Sequence, residues 1–382
     1  MAAKTTEPDN PMKTIKDHHS ILTKTGVSKK ARAIYLGIDS HRRSYVVRRK
    51  IDGRLPQASQ RLSLEALLDF VRKQFDQAEE VFACYEASAL GYWLYRRLKD
   101  MGVEVNVVAP EDWDSRKKRV KTDKRDALAL VQRLYAYVQG DRYAFSVVFV
   151  PSEDEEDRRM LTRQREQLME HRKRLERQGG SYLLYKGYYD SPNSWWRPRV
   201  WKKLQRWIDS ATLQRLQTLR VILLEVETQL KELDEQIEAQ VQDQVLPTGV
   251  GALSWVTLSN EVVCWQRFNN RREVSSLTGL CPSEYSTGDA SDRRQGSINK
   301  HGNPRMRRIL VQMAWRMFRY QPDYRLVRKW GPKMAEASSK GYKAMKKRII
   351  VAFAREMAVD LWRLANAQTS PEKLGLELRI MN

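Results

Sequence analysis

Ile34-Tyr35-Leu36-Gly37-Ile38-Asp39-Ser40 reads as a buried strand that ends on a charge. Its first five residues are apolar or glycine, and the sixth, before the polar turn, is an aspartate. A second segment of the same kind, Val81-Phe82-Ala83-Cys84-Tyr85-Glu86, closes on a glutamate. A carboxylate at the end of an apolar run is costly to desolvate unless something positive neutralises it, and a divalent cation with oxygen ligands does that well. A third acidic group follows in Lys121-Thr122-Asp123-Lys124-Arg125-Asp126, where two aspartates three apart share one face of a helix. Asp39, Glu86, Asp123 and Asp126 therefore form a candidate magnesium site, with room for two ions roughly 4 Å apart, the arrangement that activates phosphodiesters. The plainer readings are a turn-starting Asp39, a helix N-cap at Asp123 and an arginine partner for Asp126.

Outward from these segments the pattern is strand, strand, strand at 33–39, 44–50 and 58–62, with a turn at Asp52-Gly53. A helix at 63–75, a strand at 80–85, a helix carrying Leu90, Leu94, Leu98 and Met101, a strand at 103–108 and a helix at 123–138 follow. Three antiparallel strands followed by βαβα is the ribonuclease-H order. Residues 1–30 are polar and aperiodic, with Pro8 and Pro11, and read as a disordered leader ahead of a 31–150 domain.

The chain has 382 residues, 69 Lys plus Arg against 47 Asp plus Glu, and a formal charge of +22. Such an excess argues for a polyanionic partner, because each neutralised phosphate releases condensed counterions. No run of about 18 apolar residues and no signal segment is present, so a soluble, cytosolic chain without a membrane partner is expected. Cys84, Cys264 and Cys281 have no metal or disulfide spacing and read as reduced, buried thiols. His41 and His301 read as polar contacts near a site.

A connector is expected over 151–245. Its first helix, 153–178, has Leu161, Leu168 and Leu175 every seven residues; its second places Leu216, Leu219, Leu223, Val226, Leu230, Leu233 and Ile237 at alternating steps of three and four, a coiled-coil seam. Between them, 181–207 interleaves Tyr182, Tyr185, Tyr188, Tyr189, Trp195, Trp196, Trp201 and Trp207 with cations. Aromatic faces beside cations stack unpaired bases, and Trp195, Trp196 and Arg197 are expected to be exposed in a loop bracketed by Pro192 and Pro198.

A mostly helical domain is expected over 246–370, then a tail over 371–382. It opens on Leu246-Pro247-Thr248-Gly249-Val250-Gly251, a glycine turn between helices of the kind that grips phosphate. Basic residues follow at Arg293, Arg294 and Lys300; Asn303 and Pro304 read as N-cap and first residue of a helix whose Arg305, Arg307 and Arg308 would face a phosphate. The run Arg116-Lys117-Lys118-Arg119, with Lys121 and Lys124, suits nucleic-acid backbone as well.

Four ordered motifs carry a family resemblance: Gly37-Ile38-Asp39, Tyr85-Glu86-Ala87, Lys121 to Ala127, and Gly279-Leu280-Cys281-Pro282 through Ser286-Thr287-Gly288 to Lys300-His301-Gly302-Asn303. Over about 33–320 the chain resembles the DEDD-type transposases of insertion sequences of the IS-one-ten (IS110) group, bridge-RNA-guided recombinases. The resemblance implies a RuvC-like domain whose tetrad binds Mg2+, a coiled coil, and a second domain whose serine attacks DNA. It also implies target and donor DNA, a structured guide RNA, and a dimer or tetramer whose protomers share the site. Family members often carry Ser immediately before the glycine, where this chain has Thr287 before Gly288 and Ser286 one position earlier; Ser286 is the residue expected to attack because a primary hydroxyl is less hindered than threonine's, with Thr287 as its rival and Ser283 and Ser291 further out. The alternative activities are a RuvC-like junction nuclease that activates water, and a catalytically inert nucleic-acid binder.

Overall fold

The structure is a computed structural model that describes residues 30–110, 122–190, 193–285 and 294–381. Two compact units divide the chain, 1–150 and 151–382.

In the first unit β1 (Ala31–Ser40), β2 (Tyr45–Ile51) and β3 (Gln60–Leu62) form an antiparallel meander. Next come α1 (Leu64–Arg72), β4 (Ala78–Glu86), α2 (Trp93–Asp100), β5 (Glu104–Val108) and α3 (Asp123–Val138). The sheet runs β3-β2-β1-β4-β5, with β1, β4 and β5 parallel. The order of elements is the expected one, and the unit is a mixed α/β domain. Both sheet faces are covered, which is why β1 is apolar almost throughout rather than alternating. Ile34, Leu36, Ile38, Val81, Ala83 and Tyr85 share a core with Leu67 and Leu98. Ala33, Tyr35 and Cys84 face the other way, onto Leu130, Val131 and Leu134 of α3.

The second unit is largely helical. α4 (Glu153–Tyr185) starts in a capping box built by Ser152 and Glu155, and α5 (Pro198–Leu204) follows. α6 (Ser210–Ala239) returns along α4, burying Leu216, Leu223, Leu230, Leu233 and Ile237. Their antiparallel run is fixed by ion pairs of Arg165 with Asp234 and Arg172 with Glu227. At 181–207 the expectation fails: Trp195 and Trp196 are buried with Trp201, Leu204 and Leu183 in a small core of their own. The Trp195 indole lies on Gly179, where any Cβ would collide with the ring, and its Nε1 donates to the Glu176 carbonyl at 3.0 Å. Two indoles have more apolar surface than this thin hairpin could leave in water, so they fill it. Arg197 alone of that trio is exposed.

β6 (Val245–Pro247) precedes α7 (Ala252–Val262) and α8 (Arg271–Thr278). β7 (Pro282–Tyr285) and β8 (Arg294–Ile298) form a ribbon, followed by α9 (Pro304–Tyr320), α10 (Arg325–Ser339), α11 (Lys343–Ala365), α12 (Pro371–Leu374) and β9 (Leu378–Ile380). The expected tail is ordered: β9 pairs with β6, so the glycine turn 246–251 follows a strand rather than joining two helices. Met306, Leu310, Met313, Phe353 and Met357 centre the core. Among the described residues no helix is long and apolar enough to cross a membrane, and the three cysteines are free, only Cys84 fully buried.

Candidate functional site

Strand register brings the first two acids together. Ile38 pairs with Tyr85 across the parallel strands, so Asp39 and Glu86 stand side by side at the carboxyl ends of β1 and β4. Side chains alternate along a strand, and Asp39 and Glu86 follow Gly37 and Cys84 by two, which puts them on the face that α3 covers. α3 comes down onto Gly37: a Cβ there would lie 2.6 Å from the Ala127 carbonyl oxygen and would also strike the Val131 nitrogen. Ala127 is one turn beyond Asp123, so the first turn of α3, with Asp123 and Asp126, stands over Asp39.

The same logic places Arg61. Asp39 pairs with Val46, and Val46 pairs with Arg61, so the three lie in one row across the meander. The Arg61 guanidinium reaches Asp123 Oδ2 at 2.5 Å. His41, in the turn after β1, sets Nε2 between the two carboxylates, 3.2 Å from Asp39 Oδ2 and 3.4 Å from Asp123 Oδ2. One donor atom each from Asp39, His41 and Asp123 fall within 4.8 Å of one another, close enough for one cation to touch all three. The set is oxygen-rich with one imidazole, which suits a hard or borderline divalent ion.

Burial pushes the Asp39 carboxyl above the usual range; His41 opposes this, while Asp123 and Asp126 push it further up. Asp123 is held below the usual range, chiefly by its hydrogen bond from Arg61. Two neighbouring acids are thus set apart, one reluctant to ionise and one held charged by its guanidinium. Asp123 is the first residue of α3, and the N-cap is Thr122.

In the second unit Asn303 does cap α9: its Oδ1 accepts from the Arg305 and Met306 amides at 2.9 and 3.1 Å. Its Nδ2 donates to the buried carboxylate of Glu261 at 2.6 Å, and Arg163 binds the same carboxylate through two nitrogens at 3.0 Å. Arg305 and Arg308 both engage Glu166. Asn303 thus joins α7 to α9 while capping α9, and Arg305, expected with Arg307 and Arg308 to face a phosphate, joins α9 to α4 through Glu166. Burial alone would push Glu261 up, but its partners outweigh that and hold its pKa below the usual range. Lys124 is exposed at the start of α3, Lys300 is exposed and left-handed (φ 61°), and Arg294 lies in β8. Ser283 donates its hydroxyl to the Ser297 carbonyl at 2.8 Å. Ser286, Thr287, Ser291, Arg293, Lys121 and the run Arg116, Lys117, Lys118 and Arg119 lie outside the described residues.

Comparison with known proteins now adds a name for the lineage. A family model described as a transposase, DEDD_Tnp_IS110, matches residues 37–185. Another, described as Transposase IS116/IS110/IS902 family, matches residues 247–327. The candidate transposase y4rJ of Sinorhizobium fredii is 30% identical over 306 residues, 74% of this chain and 76% of the relative. The chain belongs to the IS110 family of transposases. A second candidate transposase of that bacterium, y4qE, is 33% identical over 310 residues, 75% of this chain and 76% of its own. The transposase for insertion sequence element IS1533 of Leptospira borgpetersenii is 26% identical over 302 residues, 74% of this chain and 85% of its own. The first family match of this IS110-family transposase begins at Gly37 and takes in all four acids; the second begins at Pro247 and takes in Asn303.

The sequence marks His41 only by its place two residues after a strand-ending aspartate, and no local pattern pairs Arg61, Glu261 or Arg163 with their partners.

Proposed function

We propose that this transposase cuts and rejoins DNA at a divalent-metal centre formed by Asp39, Glu86, Asp123 and Asp126 in a RuvC-like, ribonuclease-H-type domain. The observation that carries this reading is the grouping of Asp39 from β1 and Asp123 from α3 with His41 within 4.8 Å, at the strand end where Glu86 closes the neighbouring β4. The donor chemistry suits a divalent ion such as Mg2+: two carboxylates and the His41 imidazole gather at the mouth of the sheet, and burial holds the Asp39 carboxyl above its usual range, a cost a bound cation would offset. Magnesium bound there would polarise the scissile phosphate and offset charge on its oxygens.

The remaining steps belong to the chain's own residues. Ser286, or Thr287 in its place, attacks the phosphorus through its Oγ; the P–O bond to one DNA strand breaks, the departing oxygen takes a proton, and a phosphoserine ester remains. A hydroxyl of the exchanged strand then attacks that ester, releases the serine and restores a phosphodiester, with no net consumption of water or ATP. A hydroxyl at its ordinary pKa is a weak nucleophile and needs such an activated phosphate. Guide RNA would supply sequence choice by pairing with target and donor DNA, leaving the +22 protein to bind backbone and shape. A coiled-coil pairing of α4 and α6 would let a dimer or tetramer unite the acids of one protomer with the serine of another.

The test is trapping. Full-length protein with Mg2+, guide RNA and a nicked DNA is quenched in denaturant, and the adduct is mapped by mass spectrometry. A phosphoester on Ser286 that Asp39→Asn abolishes is expected. Freely released ends with unmodified protein would point to the hydrolytic nuclease, and products indifferent to Mg2+ and to Asp39→Asn would leave only a binding protein.

A further inference from the structure

The turn-side end of α4 carries an exposed stripe that the folded chain does not use. Lys173, Arg177, Ser181 and Tyr185 recur every four residues, so they lie along one helix face, and all four are exposed. A cavity of about 820 Å3 opens beside this stripe, lined by Lys173, Arg177, Ser181, Leu184 and Tyr189 among others. That volume lies in the range of about 300–1,000 Å3 usual for bound small molecules. Tyr185 is 84% exposed and Tyr189 77% exposed. Rings left in water to this degree contribute little to folding, while the three indoles beneath them, Trp195, Trp196 and Trp201, are packed away. The buried indoles brace the helix from its opposite face, where Trp195 lies against Gly179.

Charge selects the partner. Residues 173–207 contain nine cations and two acids. None of the nine makes an ion pair with a described residue, and Glu176, the carboxylate at the cavity, is itself paired with Arg172 at 3.0 Å. An apolar peptide or a membrane would want more than one exposed leucine here. A duplex offers phosphates but hides its base faces, whereas an unpaired strand offers both phosphates and rings to stack.

We propose that the α4 stripe and its cavity hold unpaired nucleotides, with Tyr185 and Tyr189 stacking on bases and Lys173 and Arg177 meeting the backbone. This rests on the reading that the chain handles nucleic acid, and not on the metal chemistry. The site takes single-stranded RNA or single-stranded DNA, which share this chemistry.

Binding of labelled 20-nucleotide single-stranded RNA, single-stranded DNA and duplex DNA is measured on the full chain in EDTA, so that no cleavage intervenes. Tyr185→Ala and Tyr189→Ala are each expected to weaken single-strand binding about fivefold or more, with Tyr189→Phe close to the parent and the duplex changed less than twofold. Lys173→Ala with Arg177→Ala is expected to flatten the salt dependence of single-strand binding. A loss confined to RNA, or to DNA, identifies which strand the site takes. Single-strand affinity within twofold of the parent in the Tyr185→Ala/Tyr189→Ala double variant, with an unchanged melting temperature, would overturn the proposal. Equal losses for duplex and single strand would overturn it too, because they would reveal a charged surface without stacking. Neither result touches the cleavage reading, which trapping tests separately.

Discussion

The α-carbon of Gly37 sits against the backbone of Ala127, so close that even a methyl group would reach within 2.6 Å of its carbonyl oxygen. That contact sets the height of α3 above the sheet and with it the position of Asp123 and Asp126 over Asp39. Helix backbone cannot yield as a flexible side chain can, so Gly37→Ala must lift the helix. The variant is expected to lose about 3 kcal/mol or more of stability in denaturant titrations, and any folded fraction should bind divalent metal poorly. Parent-like stability and metal affinity in Gly37→Ala would show that α3 does not rest there.

Asp39 offers a prediction with a definite sign. Its pKa is raised in the folded chain, so the native state holds that proton more tightly than the unfolded one. Stability from this group is therefore greatest below the unfolded value and declines as pH rises through the folded one, leaving ionised Asp39 a net cost at neutral pH. Asp39→Asn is expected to melt about 1–3 °C higher than the parent in EDTA at pH 7. Adding Mg2+ should raise the melting temperature of the parent and leave the variant where it was. A variant that melts lower in EDTA would contradict the cause assigned to the shift.

Arg61 and His41 stand where a cation would neutralise Asp123 and Asp39. The Arg61–Asp123 pair is at the surface and adds little to stability, but a guanidinium on the carboxylate competes with metal. Arg61→Ala is expected to tighten Mg2+ binding severalfold by calorimetry, with little change in melting temperature. Weaker binding would mean that Arg61 orients Asp123 for the metal instead of blocking it.

Glu261 is buried and its pKa is depressed, so its contribution is present above the unfolded value and fades as pH falls through the folded one. Glu261→Gln keeps the shape and loses the charge that Arg163 requires. With the Arg163 side chain still 30% exposed, a cost of about 2 kcal/mol at pH 7 is expected, below that of a fully buried pair. The gap between variant and parent should close as the pH falls below the ordinary glutamate range. A gap independent of pH would assign the loss to packing.

Much of this was legible beforehand, for physical reasons. β1 and β4 announce themselves because strands covered on both faces must be apolar throughout, so Asp39 and Glu86 stood out against that background. Asp123 and Asp126 gained meaning from helical spacing. Trp195 and Trp196 misled because aromatics beside cations describe both a stacking surface and a small core under a charged rim; burial, which decides between them, depends on how Gly179 and α6 close over the indoles. Asn303 before Pro304 spells out a cap locally, but its second commitment, to Glu261, spans 42 residues and leaves no local trace. His41 and Arg61 converge only through register across three strands, which no single segment encodes.

The long antiparallel pair of α4 and α6 has a mechanical consequence. Its base is clamped by Arg163 and Glu166 against α7 and α9, while its far end carries Tyr185 and Tyr189. A helix of 33 residues is about 50 Å long. From the clamp to Tyr185 is about 30 Å, so rocking the helix by a single degree there swings the far end by about half an ångström, and a strand held at that end would pull on Asn303 with the leverage of an oar against its rowlock.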